Sequence, residues 1–163
     1  MPLIKKSSNP FRQALAGLHY DASDLEGESR AVEGEAIPYG RGVTYGTNPA
    51  QCRLFEPASK FIGVSVARHD QEVSNGTHAA RIDDESVVTE TEELEIATQG
   101  RIWVRLSTGE APAEGSPVHC VPTAGPEQGT FGSAAVAAGE LVPNASFGIL
   151  SKDGKLAVVN LNR

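Results

Sequence analysis

Aromatic residues are scarce in this chain of 163 residues: they make up 6%, with a single tryptophan. Together with 39% apolar residues overall, that suffices for one modest core and not for two. Cysteine is nearly absent. Cys52 and Cys120 are too few for a disulfide framework, and no CxxC pair occurs. A disulfide involving Cys52 or Cys120 and a pair of ordinary thiols both stay open, because sequence cannot place two side chains within bonding distance. Long apolar runs are missing as well. Nothing approaches the roughly 20 residues needed to cross a bilayer. Met1 to Lys6 lacks the apolar stretch of a secretory signal. The expectation is a protein made in the cytoplasm and soluble until it meets its partner, with no membrane role. The glycosylation patterns Asn75-Gly76-Thr77 and Asn144-Ala145-Ser146 then carry no weight. Basic charge is also in short supply. A net charge of −7 argues against wholesale nucleic-acid binding. It suits either plain solubility or a surface matched to a basic partner patch.

The motifs of chemistry are missing too. His19, His69, His78 and His119 show no HxH, HExxH or paired Cys/His spacing, so no metal site is expected. There is no GxSxG. His119 and Cys120 are adjacent, and adjacent strand residues point to opposite faces, which disfavours a catalytic pair. Gly154-Lys155 lacks the upstream glycine of a phosphate loop. The acids Asp83, Asp84, Glu85, Glu90, Glu92, Glu93 and Glu95 lack the order and central glycine of a Ca²⁺ loop and read as a solvated stretch. The expectation is a protein that is not an enzyme and carries no cofactor.

Glycine (17) and proline (10) are plentiful and break the chain into short elements. Phe61 to Arg68 alternates, with Ile62, Val64 and Val66 on one face. In Arg101 to Leu106, Ile102, Val104 and Leu106 share one face while Arg101, Trp103 and Arg105 share the other. Leu94 and Ile96 open another strand, and Pro117 to Val121 is a short one. Ala145 to Leu150 and Lys155 to Leu161 flank Ser151-Lys152-Asp153-Gly154, where Asp-Gly supplies the positive φ of a hairpin turn. Ser133 to Ala138 is Ala-rich and allows a helical turn. The expected fold is all-β: an antiparallel β-sandwich or barrel, jelly-roll-like, over residues 36–163.

Residues 1–35 read differently. Lys5, Lys6 and Arg12 occur with no acid among the first twelve residues, and acids dominate from Asp21 to Glu35. Phe11, Leu15 and Leu18 form a short helix-spaced set, too short to hold a helix alone. The segment is expected to be an extended N-terminal arm that leaves the core or orders on contact, with a simple frayed terminus as the alternative. Phe11, Leu15 and Leu18 on the arm are candidate interface residues. So are Arg101, Trp103 and Arg105 on the strand, since Trp and Arg are enriched at partner surfaces. A core tryptophan between two solvated arginines fits that triplet equally well.

The ordered segments EGEAIPYGRGVTYGT, FIGVSVARHD, IATQGRIWVRL, GSPVHC and NASFGILSKDGKLAVVNLN resemble the phage structural cement proteins. The matching residues are Ile37-Pro38-Tyr39-Gly40, Ile62-Gly63-Val64, Gly100-Arg101-Ile102-Trp103-Val104, Gly115-Ser116-Pro117-Val118, Ala145-Ser146-Phe147 and Leu156-Ala157-Val158-Val159-Asn160-Leu161. The resemblance covers about residues 33 to 162, with Gly100 to Val104 its strongest element. It implies a capsid decoration subunit on the outside of an HK97-type shell, whose partners are the major capsid protein and its own copies, as a homotrimer or homodimer. A carbohydrate-binding or tail-associated adhesion module is the alternative of a different class.

Overall fold

Alternating apolar and polar residues let a strand bury one face, and glycine or proline between such runs keeps the strands short. The computed structural model describes residues 15–21, 25–67, 92–136 and 138–162, and the backbone of 87–88. Within these, all regular structure is strand and none is helix. The strands are β1 (Glu26–Val32), β2 (Ile37–Pro38), β3 (Gly42–Tyr45), β4 (Gln51–Leu54), β5 (Phe61–Ser65), β6 (Val87–Val88), β7 (Glu93–Arg105), β8 (Pro117–Cys120), β9 (Phe131–Gly132), β10 (Glu140–Leu150) and β11 (Leu156–Leu161). The expected all-β barrel is what forms.

One strand organises the molecule. The pairings β1–β4–β3–β5–β7 close back on β1, making a ring. From β7 the sheet continues through β11, β10, β8 and β9. Leu106, just past β7, then bridges to Phe131 in β9, so this second sheet also curls round. Residues 93–99 of β7 pair with β1 and β5, and residues 100–105 pair with β11. The change occurs at Gly100, whose φ of 107° is one that glycine adopts readily and other residues rarely do. The β1–β4 pair is parallel, Ala31 opposite Gln51 and Val32 opposite Cys52, whereas the other pairs of described strands are antiparallel.

Inside the first ring, Val32, Ile37, Val43, Cys52, Leu94 and Ile96 pack together. The largest cluster takes Ile102, Val104, Val118, Phe131, Phe147 and Val159 from the second sheet and Phe55, Val64, Val66 and Ala97 from the first ring. One continuous core therefore joins the two halves. Phe55, Phe61 and Phe131 meet edge to face along it, at centroid distances of 5.9 and 6.2 Å. The hairpin from β10 to β11 forms over Ser151–Gly154 as the Asp-Gly pair requires: Gly154 has φ 71°, and the Asp153 carboxylate accepts bonds from the Ser151 hydroxyl and the Lys155 amide.

Three expectations are corrected. Residues 15–21 and 25–35 do not leave the core. Glu26–Val32 is β1, paired with β7 along its length, because its even-numbered side chains line up with Leu94 and Ile96. Nearer the N-terminus, Gly17 and Tyr20 donate to the Trp103 and Arg101 carbonyls at 2.8 and 2.9 Å, and the Trp103 amide donates to the Leu18 carbonyl. His19 forms a bridge to Ile102. Residues 17–20 and 26–32 thus both lie along β7. Strand β10 also begins at Glu140, earlier than its alternation shows, because Pro143 and the positive-φ Asn144 shift its register between Leu141 and Ser146. Ser133 to Ala138 makes turns and no helix among its described residues.

Candidate interaction surface

The outer face of β7 carries Arg101, Trp103 and Arg105, as its alternation requires. Trp103 is nonetheless only 8% exposed. It packs with Leu156 and Val158 of the neighbouring β11, and Ala16 and Leu18 close over this cluster. Tyr20 stands edge-on to its ring at 5.9 Å. The two sets of residues read from sequence as separate interfaces therefore meet within one chain. Leu18 covers Trp103, and Leu15 accepts the turn bond from the Leu18 amide. Phe11 lies outside the described residues.

Arg101 and Arg105 differ in surroundings. The Arg101 side chain is 53% exposed and reaches the Asp21 carboxylate at 3.2 Å. The Arg105 guanidinium is half-buried, and burial lowers its pKa against the opposing pull of Asp153 and Glu127. Burial also lowers that of Arg41, helped by nearby Arg105. Arg41 answers by donating to the carbonyls of Pro126 and Gln128 at 3.0 and 2.9 Å. Arg41 thus ties a loop to the barrel, while Arg101 faces solvent.

The reactive side chains sit where they can do little. Cys52 and Cys120 are free and buried, Cys52 inside the first ring and Cys120 in the larger core. Burial pushes the Cys52 thiol up to about 11 and the Cys120 thiol up as well, away from the thiolate form. His69 and His78 and the acids from Asp83 to Glu90 lie outside the described residues. Among the described residues no three metal-binding side chains converge.

Sequence reasoning missed two surface features. Leu141, Ile149 and Leu150 of β10 are exposed, Leu141 by 61%. Ile149 and Leu150 stand out together because the register shifts between Phe147 and Leu150, and the only trace of this in sequence is two apolar neighbours where alternation asks for one. The second feature is a polar cleft of about 330 Å³ where β7 changes partners, lined by Gln99, Gly100, Arg101, Ser146, Asn160 and Asn162 over Leu161. Its trace in sequence is Asn160 inside the apolar closing strand.

The chain matches the family model of the structural cement protein (E217 gp24/Pam3 gp6) over residues 4–162. It belongs to the phage structural cement family. Membership makes this cement protein a virion-associated structural component. Its fold is shared by a chain in the structure of the capsid of Myoviridae phage XM1, with a TM-score of 0.72 and 16% identity over 91% of this chain and 89% of the other. None of the curated proteins matches. The family match reaches to residue 4, well before the segments that carried the resemblance in sequence, and so includes residues ahead of the Gly17–Val32 stretch.

Proposed function

We propose that this cement protein is a decoration subunit that binds the outside of an HK97-type capsid and raises the resistance of the shell to disruption. The observation that carries the reading is the family match across residues 4–162. The subunit works without chemistry. Its contacts hold neighbouring capsid proteins together, each patch of standard size burying about 1,600 Å² in total. Self-association into a trimer or dimer engages several capsid proteins at once, so modest patches multiply by avidity.

Residues 1–14 precede the stretch that is tied to β7, and they carry Lys5, Lys6 and Arg12 with no acid. The rest of the chain is accordingly more acidic than the whole, whose net charge is −7. A basic N-terminal segment ahead of an acidic remainder extends the grip toward a partner that the remainder alone attracts less. The exposed apolar side chains Leu141, Ile149 and Leu150 and the exposed Arg101 are the body's contact residues in this reading.

The test uses shells purified without this protein. Adding the full chain should decorate them and raise the temperature at which they open, seen by electron microscopy and light scattering. Shells that stay bare at saturating protein would overturn the proposal.

A further inference from the structure

The polar cleft at the β7 junction belongs to none of the contacts just described, apart from Arg101 at its wall. We propose that it is a saccharide-binding site, taking one pyranose ring at the end or side of a polysaccharide, and that it gives the protein an adhesive function beyond shell stabilisation.

The site is built by strand register. Arg101 of β7 lies opposite Asn160 of β11, and Asn160 lies opposite Ser146 of β10. These three side chains form one row across three strands, on the face away from Ile102, Val159 and Phe147, which are all buried. Asn160 Nδ2 donates to Ser146 Oγ at 3.4 Å, so the row is linked from within. Gln99 and Asn162 add two more carboxamides at the rim, and Gly100 contributes no side chain to fill the space.

The chemistry of that lining selects the ligand. Carboxamides and hydroxyls both donate and accept, as sugar hydroxyls do. A cleft of about 330 Å³ suits a single ring and falls at the small end of ligand pockets. Tyr20, 44% exposed and braced edge-on against Trp103, lies beside this wall, since its amide donates to the Arg101 carbonyl. Other ligands fit less well. An extended peptide has no strand edge to join, because β7 here is bonded to β11 on one side and to Leu18 and Tyr20 on the other, and β11 lies between β7 and β10. A phosphate group asks for more cationic charge than one arginine already paired with Asp21. An apolar ligand would leave the carboxamides without partners.

The experiment is a titration of the full-length ¹⁵N-labelled protein with methyl α-D-glucopyranoside, methyl β-D-galactopyranoside and sodium glucuronate, followed by amide chemical shifts. At least one should move the Gly100, Ser146 and Asn160 amides and the Asn160 side-chain amide, saturating with a Kd of about 1–10 mM, the strength of a few net hydrogen bonds in a half-open site. Asn160→Ala and Gln99→Ala should each weaken that binding about fivefold, the loss of roughly one hydrogen bond. Dispersion of the same spectra reports folding, and Gln99→Ala at the rim carries the test if Asn160→Ala does not fold. The proposal is overturned if no saccharide shifts these amides at ~50 mM, if the shifts map elsewhere, or if both variants bind as the parent does. Shell decoration measured in parallel separates the two readings: a protein that coats shells and ignores all three saccharides loses only this inference.

Discussion

Gly17 shows how much a single residue holds. Its φ is +80°, and a Cβ there would lie 2.8 Å from the Ala67 amide nitrogen and 2.9 Å from the Ser65 carbonyl oxygen. Its own amide and carbonyl bond to Trp103 and Ala67. Gly17→Ala therefore meets both backbone strain and a clash with main chain that cannot step aside. A loss of about 1–3 kcal/mol is expected. The single tryptophan makes this measurable, because lifting Leu18 and Tyr20 away from Trp103 would shift its emission to the red. A second residue-scale prediction concerns His19. Its pKa is lowered by burial, against the opposing charge of Glu95, and its Nδ1 is buried with no hydrogen-bond partner among the described residues. The unfolded chain therefore binds a proton at a higher pH than the folded one. Stability is unaffected by His19 above its ordinary value of 6.5 and falls as pH drops from there toward the lowered folded value. Denaturation at pH 5 and pH 8 should show this slope, reduced in His19→Gln; an unchanged slope in the variant would refute the assignment. Cys52 and Cys120, buried and held as thiols, should resist a thiol reagent until the protein is unfolded, with equal protection in monomer and particle.

At the scale of the element, β7 decides most of the outcome. Its 13 residues serve both halves of the molecule, and residues 17–20 and 26–32 lie along it as well. This sets the outcome of truncation. Removing residues 1–14 takes away Lys5, Lys6 and Arg12 and leaves every described strand, so the barrel should melt normally while shell binding weakens. Removing residues 1–30 cuts into β1, strips away most of its pairing with β7, from Glu26 to Arg30, and opens the first ring at that seam. That protein should lose its cooperative melting transition altogether. Calorimetry beside a shell-binding assay distinguishes the two cases. Equal shell binding by the shorter deletion and the full chain would remove the N-terminal segment from the proposed mechanism.

For the whole molecule, the balance of legible and illegible features follows from the range of the forces involved. The face of Ile102, Val104 and Leu106, the Asp153-Gly154 hairpin and the all-β class were readable because alternation and turn chemistry act between near neighbours in sequence. The scarcity of reactive motifs was readable in the same way. Strand β1 was not, since its acids resemble those of a solvated tail and only pairing with β7 sets Glu28 and Arg30 opposite Ile96 and Leu94. Nor was the fate of Trp103. Its two arginine neighbours suit an interface and a core equally, and the choice was made by Leu18 and Tyr20, more than 80 residues away in sequence. The sequence alone determined that this chain makes short strands, turns at glycine and holds no familiar reactive motif. Only the tertiary structure decided which strand is shared, which aromatic is covered and where a polar cleft opens, because each depends on register between segments that local patterns do not connect.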